Sequence, residues 1–462
     1  MNNKSQFFDE LKSKKIAVIG TGVSHRELIP MFLKQGYDIT FCDKRELEKI
    51  PEALEYQTLG AKLSLGENYL DAIFNCDVVF RTPGMYFGNA ALTKARERGI
   101  VVTSELEVFF TLCPCKTYCV TGSDGKTTTT TLISEMLKAE GKNVILGGNI
   151  GKALLPQIFD IKESDCVVAE LSSFQLMSMR TSPDVAVITN ITPNHLDVHG
   201  TMDEYIGCKK NILLHQNAFS RAVLNRENAE TMNLNNLVRG ELLTFGRASL
   251  PAFDGSFLDE DGFLCLTRNG ITEKIVHKDN IKIPGTHNIE NYLAAISALA
   301  GEVSAETVKN VAENFGGVPH RIEFIREISG VKFYNDSIAT SPTRVIAGLR
   351  AFGRKIIVIA GGYDKKIPYE PLGEDVNRFV KVLVTLGATA EKIENAVKSH
   401  ADFSPENIKI IRTKTLEEAV EKAFEYAENG DVITLSPASA SFDLYRNFEE
   451  RGEHFRRIVN AL

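Results

Sequence analysis

The feature that most constrains this chain is the apolar run Thr117-Tyr-Cys-Val-Thr121, which passes without a linker into Gly122-Ser-Asp-Gly-Lys-Thr-Thr128 and then into a helix-compatible stretch from Thr127 to Ala139. A strand that ends in a glycine turn and feeds a helix belongs to a parallel sheet, because parallel strands need crossover connections to return. The turn also selects a class of ligand. Glycines let backbone N–H groups close on phosphate oxygens, Lys126 adds positive charge toward the β and γ phosphates, and Thr127 can hold Mg²⁺. Gly122, Ser123, Asp124, Gly125, Lys126, Thr127 and Thr128 are therefore the expected ATP contacts. The spacing Gly-x-x-Gly-Lys-Thr is shorter than the general phosphate-loop pattern, so the loop alone points to a nucleotide and no further.

The same alternation of short strands and helical segments runs through nearly all 462 residues, which predicts an α/β protein with three domains. A Rossmann-like N-terminal domain over residues 1–110 opens with Lys15-Ile-Ala-Val-Ile-Gly20 and continues through Tyr37 to Asp43, Asp77 to Gly84 and Ile100 to Thr103. The central domain, 111–317, has a P-loop ATPase-type parallel sheet, with further strands at 165–169, 185–189 and 222–225 and a small antiparallel appendage over roughly 240–284. The glycine pair in Phe315-Gly-Gly-Val-Pro-His-Arg321 marks a hinge over 314–321. Beyond it lies a C-terminal Rossmann-like domain, 318–462, and closure of that domain is the expected motion.

Charge narrows the choice of partner. A net charge of -7, from 53 basic and 60 acidic residues, argues against a nucleic-acid partner, because counterion release needs clustered cations. No signal-like segment and no run of 18 apolar residues is present, so a cytoplasmic protein without a membrane partner is expected, acting as a monomer. The eight cysteines lie mostly in apolar segments and read as reduced core residues. Cys113-Pro-Cys115 with Cys119 lacks the second ligand pair that a structural zinc site needs.

Two segments after later strands carry metal-binding chemistry. Glu170-Leu-Ser-Ser-Phe-Gln-Leu176 follows the strand 165–169, and a carboxylate at the end of a parallel strand beside a phosphate loop suits the Mg²⁺ of ATP. A carboxylate satisfied by its own neighbours is the alternative for Glu170. In Thr189-Asn-Ile-Thr-Pro-Asn-His-Leu-Asp-Val-His199, His195 can offer a nitrogen to a second divalent ion, with Asn194 and Asp197 hydrogen-bonding around it. His199 reads instead as a packed residue.

Together, the loop, the Glu170 to Leu176 segment and Asn194-His195-x-Asp197 resemble the Mur ligases of peptidoglycan synthesis. Gly285-Thr-His-Asn-Ile-Glu-Asn291, Pro319-His-Arg321, Tyr334-Asn-Asp-Ser337 and Leu435-Ser-Pro-Ala-Ser-Ala-Ser441 extend the resemblance over essentially the whole chain. The Glu-Leu-Ser-Ser-Phe-Gln-Leu segment and the Ser-Pro-Ala-x-Ala-Ser ending resemble the member that adds D-glutamate. The resemblance implies an ATP-dependent ligase acting on UDP-N-acetylmuramoyl-L-alanine and D-glutamate through an acyl phosphate. It implies catalytic roles for Lys126, Glu170, His195 and Lys209, and two Mg²⁺ sites built from Thr127, Glu170, His195 and Lys209. Asn291, Arg321 and Asp336 would contact the nucleotide. Lys209 matches the family lysine that is carbamylated into a metal ligand, with an ordinary solvated helix lysine as the alternative. Thr340, Lys365, Ser441, Phe442 and Phe448 would meet D-glutamate, and Ser172 is a further substrate contact. Lys365 would pair with the side-chain carboxylate; the adjacent Lys366 is the rival.

Near the N-terminus, Gly20-Thr-Gly-Val-Ser24 with Asp43 looks like a dinucleotide fingerprint, but His25 stands in the place of the third glycine. In the Mur reading this turn binds the UDP diphosphate through Thr21 and Ser24, with Asp43 and Lys44 near uracil or ribose. Thr82-Pro-Gly84 then resembles the family's Ser-Pro-Gly turn, so Thr82 and Gly84 belong to the same cleft, and Asn149 lies near the muramoyl group. One departure stands out. The family usually reads Asn-Asp-Ser-Lys-Ala-Thr-Asn, whereas this chain has Asn335-Asp-Ser-Ile-Ala-Thr-Ser341, and Arg344 is the candidate replacement for the missing lysine. Two other classes remain: a related ligase for a different amino acid, and a non-catalytic nucleotide-binding protein, which needs no second anion site. A dehydrogenase is a poorer fit.

Overall fold

Short β-branched runs bounded by glycine become buried strands where helices cover both faces of a parallel sheet. The computed structural model describes residues 4–248 and 254–462, and among these the chain forms three sheets. The first contains β1 (Lys15–Ile19), β2 (Asp38–Asp43), β3 (Lys62–Leu65), β4 (Val78–Phe80) and β5 (Val101–Thr103), all parallel in the order β3-β2-β1-β4-β5. Its strand order reverses between β1 and β4, so the turns after these two strands flank a switch-point crevice.

The second sheet holds β6 (Lys116–Thr121), β7 (Val144–Gly148), β8 (Cys166–Glu170), β9 (Val185–Ile188), β10 (Arg221–Asn225), β11 (Glu241–Phe245), β12 (Gly255–Leu258), β13 (Phe263–Arg268) and β14 (Ile271–His277). Its order is β14-β13-β12-β11-β10-β9-β6-β8-β7. The antiparallel strands β12 to β14 extend the edge of this sheet. β6 lies between β8 and β9, so the turns that leave these three parallel strands emerge side by side.

In the third sheet, β15 (Glu323–Ile328), β16 (Val331–Asn335), β17 (Ile356–Gly361), β18 (Val380–Leu386), β19 (Lys409–Arg412) and β20 (Val432–Leu435) run in the order β15-β16-β20-β17-β18-β19. Only the β15–β16 pair is antiparallel among these. Apolar side chains cover both faces, with Val358, Leu383 and Val376 in one cluster and Ile357, Val384 and Phe455 in the other.

The chain divides into two compact units, residues 1–278 with 290–311 and residues 279–289 with 312–462. The first contains the first two sheets. A single apolar cluster runs between them, from Val18, Phe41 and Phe80 to Ala169, Ile188 and Leu224. Full burial of side chains of this size contributes about 1.5–3 kcal/mol each. No helix among the described residues is long and apolar enough to cross a membrane.

Candidate active site

The glycine turn after β6 adopts the shape its residues allow. Gly122 and Gly125 have φ of 151° and 78°, a region that L side chains rarely occupy, and a Cβ on Gly122 would overlap the Thr189 hydroxyl. The loop is strapped to the segment after β9: Ser123 N–H donates to the Asn190 carbonyl at 2.8 Å, Asp124 N–H to Asn190 Oδ1 at 2.9 Å, and the Thr189 hydroxyl to the Asp124 carbonyl at 2.6 Å. Gly125 caps the helix Lys126–Ala139, leaving first-turn N–H groups without intrahelical acceptors. Lys126 Nζ folds back on the Ser123 carbonyl at 2.8 Å.

Three predicted residues meet beside this loop. Thr127 Oγ1 donates to Glu170 Oε2 at 2.7 Å, and Asn149 Nδ2 donates to Glu170 Oε1 at 2.7 Å. Asn149 comes from the turn after β7, a strand the sequence pattern did not reveal, and its amide is committed to Glu170. The adjoining hydroxyl and carboxylate oxygens suit Mg²⁺, which prefers oxygen ligands and keeps several waters and phosphates in its shell. Among the described residues no group of three or more His, Cys, Asp and Glu side chains is arranged to hold a metal by itself.

Lys209, on the helix Met202–Leu214, is 1 % exposed. Its amine donates to the Gly122 carbonyl at 2.8 Å and to Thr121 Oγ1 at 3.3 Å and lies over the Tyr205 ring. Burial, reinforced by the Lys126 ammonium, pushes its pKa down to about 7. The solvated reading of Lys209 is therefore incorrect: it is a buried amine that gains and loses its charge near neutral pH. Tyr205, which sequence reasoning passed over, also holds the loop through Ser123 Oγ at 3.0 Å.

His195 is exposed, with φ of 54°, and its ring meets Phe174 edge-on at 5.3 Å. The side chain of Asp197 lies outside those described. His199 is packed as expected, stacked on Phe174 at 5.0 Å with Nε2 2.9 Å from Ser173 Oγ. Ser172 caps the helix Ser173–Leu176 in a reciprocal arrangement with Gln175. Asn291 accepts from Thr129 Oγ1 at 3.2 Å, while Thr128 stands in the first turn of the loop helix.

In the first sheet the turns after β1 and β4 lie together, since a Cβ on Gly20 would touch the Thr82 side chain at 3.6 Å. Thr21 is buried against the Tyr56 hydroxyl, and Ser24 is half-buried. Asp43 is held by a bidentate bond to Arg45, which keeps its carboxyl below the usual range against the cost of burial; Lys44 is exposed. Gly84 is exposed beside Pro83. Arg81, a fully buried residue the motif reading overlooked, donates to the Thr82, Met85 and Phe174 carbonyls and to Ser178 Oγ, so it ties this turn to the segment after Glu170.

The second unit brings the turns after β16, β17 and β20 together. Asp336 is buried, accepting from Ile322 N–H at 3.2 Å and Ser436 Oγ at 2.9 Å, and desolvation raises its pKa to about 7. Lys365 Nζ lies 3.3 Å from both the carbonyl and the hydroxyl of Thr340. Lys366 has φ of 58°, and its N–H turns onto Asp364. Arg344 reaches the Ile338 carbonyl at 3.1 Å, and its charge acts on both Asp336 and Lys365. Ser441 is buried, Phe442 is exposed with its ring against Tyr363, and the Phe448 carbonyl accepts from Ser337 Oγ. Arg451 escaped the motif reading: it is buried beneath these turns and donates to Ser337, Ser439 and Ala440. Arg321 N–H closes a turn on the Val318 carbonyl.

Comparison with known proteins covers all three sheets. Residues 14–104 match the Mur ligase MurD-like N-terminal domain, 120–299 the Mur ligase middle domain, and 320–439 the Mur ligase glutamate ligase domain. The chain is 50% identical over 467 residues to UDP-N-acetylmuramoylalanine--D-glutamate ligase of Acetivibrio thermocellus, covering 100% of both, and 48% identical to the enzyme of that name from Clostridium acetobutylicum, covering 99% of both. Among solved structures, a UDP-N-acetylmuramate-alanine ligase from Thermotoga maritima shares the fold at a TM-score of 0.57 and 20% identity, over 97% of this chain and 99% of that one.

Proposed function

This chain belongs to the Mur ligase family, and we propose that it joins D-glutamate to UDP-N-acetylmuramoyl-L-alanine, with ATP supplying the driving force. The reaction is that of EC 6.3.2.9, a step of peptidoglycan precursor synthesis, carried out in the cytoplasm by a monomer. The observation that carries the ligase reading is the meeting of the glycine turn, the Thr127–Glu170 pair and the buried Lys209 at the end of β6. Full-length identity to ligases bearing the D-glutamate name supports the choice of amino acid.

A carboxylate is a poor electrophile and phosphate a good leaving group. In this reading the γ-phosphoryl group passes to the terminal carboxylate of the UDP-linked substrate, the amine of D-glutamate attacks the acyl phosphate, and ADP and phosphate leave. Phosphate oxygens bind N–H groups of residues 125–128 at the start of the loop helix, since those of Ser123 and Asp124 are taken by Asn190, and Lys126 releases the Ser123 carbonyl to neutralise them. Thr127 and Glu170 would hold one Mg²⁺, and His195 with carbamylated Lys209 a second, supplying charge neutralisation between two anionic substrates. A buried Lys209 amine with its pKa lowered to about 7 suits carbamylation, because only the free base adds to CO₂. Asn291, Arg321 and Asp336 are assigned to the nucleotide, and Lys365, Thr340, Ser441, Phe442 and Phe448 to D-glutamate. Thr21, Ser24, Asp43, Lys44, Thr82 and Gly84 are assigned to the UDP end, with Asn149 toward the muramoyl group and Ser172 a further substrate contact.

The test is phosphate release with UDP-N-acetylmuramoyl-L-alanine while the amino acid is varied. Turnover with D-glutamate alone is expected. Turnover with a different amino acid and none with D-glutamate would replace this reading with a sister ligase.

A further inference from the structure

Seven of the eight cysteines are buried, and Cys113 is the partly exposed one. Burial drives the Cys42 thiol up to about 12 and those of Cys208 and Cys265 up to about 11, and it raises Cys76, Cys119 and Cys166 as well. These are inert thiols. Cys113 is shifted the other way, because the Cys115 thiol hydrogen-bonds to it, and the same contact raises Cys115.

The geometry is equally selective. Cys113 ends the helix Glu105–Leu112, with its N–H on the Phe109 carbonyl at 2.8 Å, and Cys115 immediately precedes β6. Pro114, with its fixed φ, joins them and leaves the two sulfurs facing each other at 3.7 Å. Such a pair can interconvert between dithiol and disulfide by side-chain rotation and a small backbone adjustment. A partly exposed cysteine whose sulfur lies 3.7 Å from a second, buried one is the arrangement of an attacking and a resolving thiol.

We propose that Cys113 and Cys115 form a thiol–disulfide exchange site for low-molecular-weight disulfides, with Cys113 attacking and Cys115 resolving. The Cys113 thiolate attacks one sulfur of the small disulfide, whose S–S bond breaks to release one thiol and leave a mixed disulfide on Cys113. Once Cys113 is in the mixed disulfide, the hydrogen bond and charge that held the Cys115 proton are gone; Cys115 deprotonates and attacks Cys113 Sγ, forming the intrachain bond and releasing the second thiol. The protein loses two electrons and two protons, and the small disulfide gains them. The bond pins the segment between the last helix of the first sheet and the strand that runs into the phosphate loop. This site does not depend on the ligase assignment.

Trypsin excises Gly99 to Lys116, a peptide that contains both cysteines and none of the other six. After incubation of the reduced native protein with oxidised glutathione and blocking of free thiols, this peptide is expected unblocked and two hydrogens lighter, and dithiothreitol should restore it. Cys115→Ser should stall with glutathione on Cys113, and Cys113→Ser should take up none on this peptide. A wild-type peptide that stays fully blockable, or that keeps a stable glutathione adduct, overturns the proposal. So does equal oxidation of the remaining cysteines.

Discussion

At the scale of the residue, Lys209 is the group whose chemistry depends most on its surroundings. Its amine is buried against Gly122 and Thr121 and shifted to about 7, so lowering the pH through that value protonates it. Carbamylation needs the free base, so turnover is predicted to fall below about pH 7 and to recover when the pH is returned above it in the presence of bicarbonate. Lys209→Met should lower kcat on the order of 10²-fold, the usual cost of losing a preorganised electrostatic group. An unchanged kcat in that variant would exclude Lys209 from the chemistry. Asp336 titrates in the opposite sense. Its pKa is raised from 3.8 to about 7, so it contributes stability below pH 4 that is lost as pH rises through 7. Thermal midpoints of wild type and Asp336→Asn should therefore diverge between these two values, and parallel curves would count against a protonated buried carboxyl. Arg344 touches the Ile338 carbonyl and acts electrostatically on Asp336 and Lys365. If it stands in for the absent lysine, Arg344→Ala should slow turnover or raise substrate KM, and unchanged values of both would end that role.

The element that organises the central site is β6 with its turn and the helix Lys126–Ala139. Gly125, at φ 78°, caps this helix, and a Cβ there would come within 2.5 Å of Asn291 Oδ1. Gly125→Ala is predicted to cost about 1–2 kcal/mol in backbone strain alone and to weaken ATP binding by more than that strain explains, since Asn291 must also move. Calorimetric titration with nucleotide, set beside thermal stability, separates the two effects; equal losses in both would mean the glycine serves only the fold. The identity of this element was legible in the sequence, because a strand, a glycine turn and a lysine lie within twelve residues. What it touches was not. The contacts from Thr189, Asn190 and Tyr205 come from segments 65 or more residues away along the chain, and β7, which delivers Asn149 to Glu170, has no strong alternating pattern to announce it.

For the whole molecule, the parallel strands of each sheet send their turns out together, and the residues proposed for ATP lie on turns of the second and third sheets, those for the UDP-linked substrate on turns of the first and second. Coupled chemistry is the consequence. Multiple-turnover phosphate release is predicted only when ATP, the UDP-linked carboxylate and D-glutamate are all present, and comparable release from ATP alone would contradict acyl transfer. The sequence by itself determined the α/β class, most of the strands along the chain and the residues of the glycine turn after β6, because strand periodicity and glycine turns are encoded by neighbours in the chain. Family resemblance extended that to Glu170, Lys209 and the ligase chemistry. Tertiary structure alone decided that Lys209 is a buried amine shifted toward neutrality, that Asn149 serves Glu170, that Arg81 and Arg451 underpin two sets of turns, and that two of eight cysteines face each other. Burial and hydrogen-bond partnership arise from which strands lie side by side, and strand order within a sheet is not a local property of the chain.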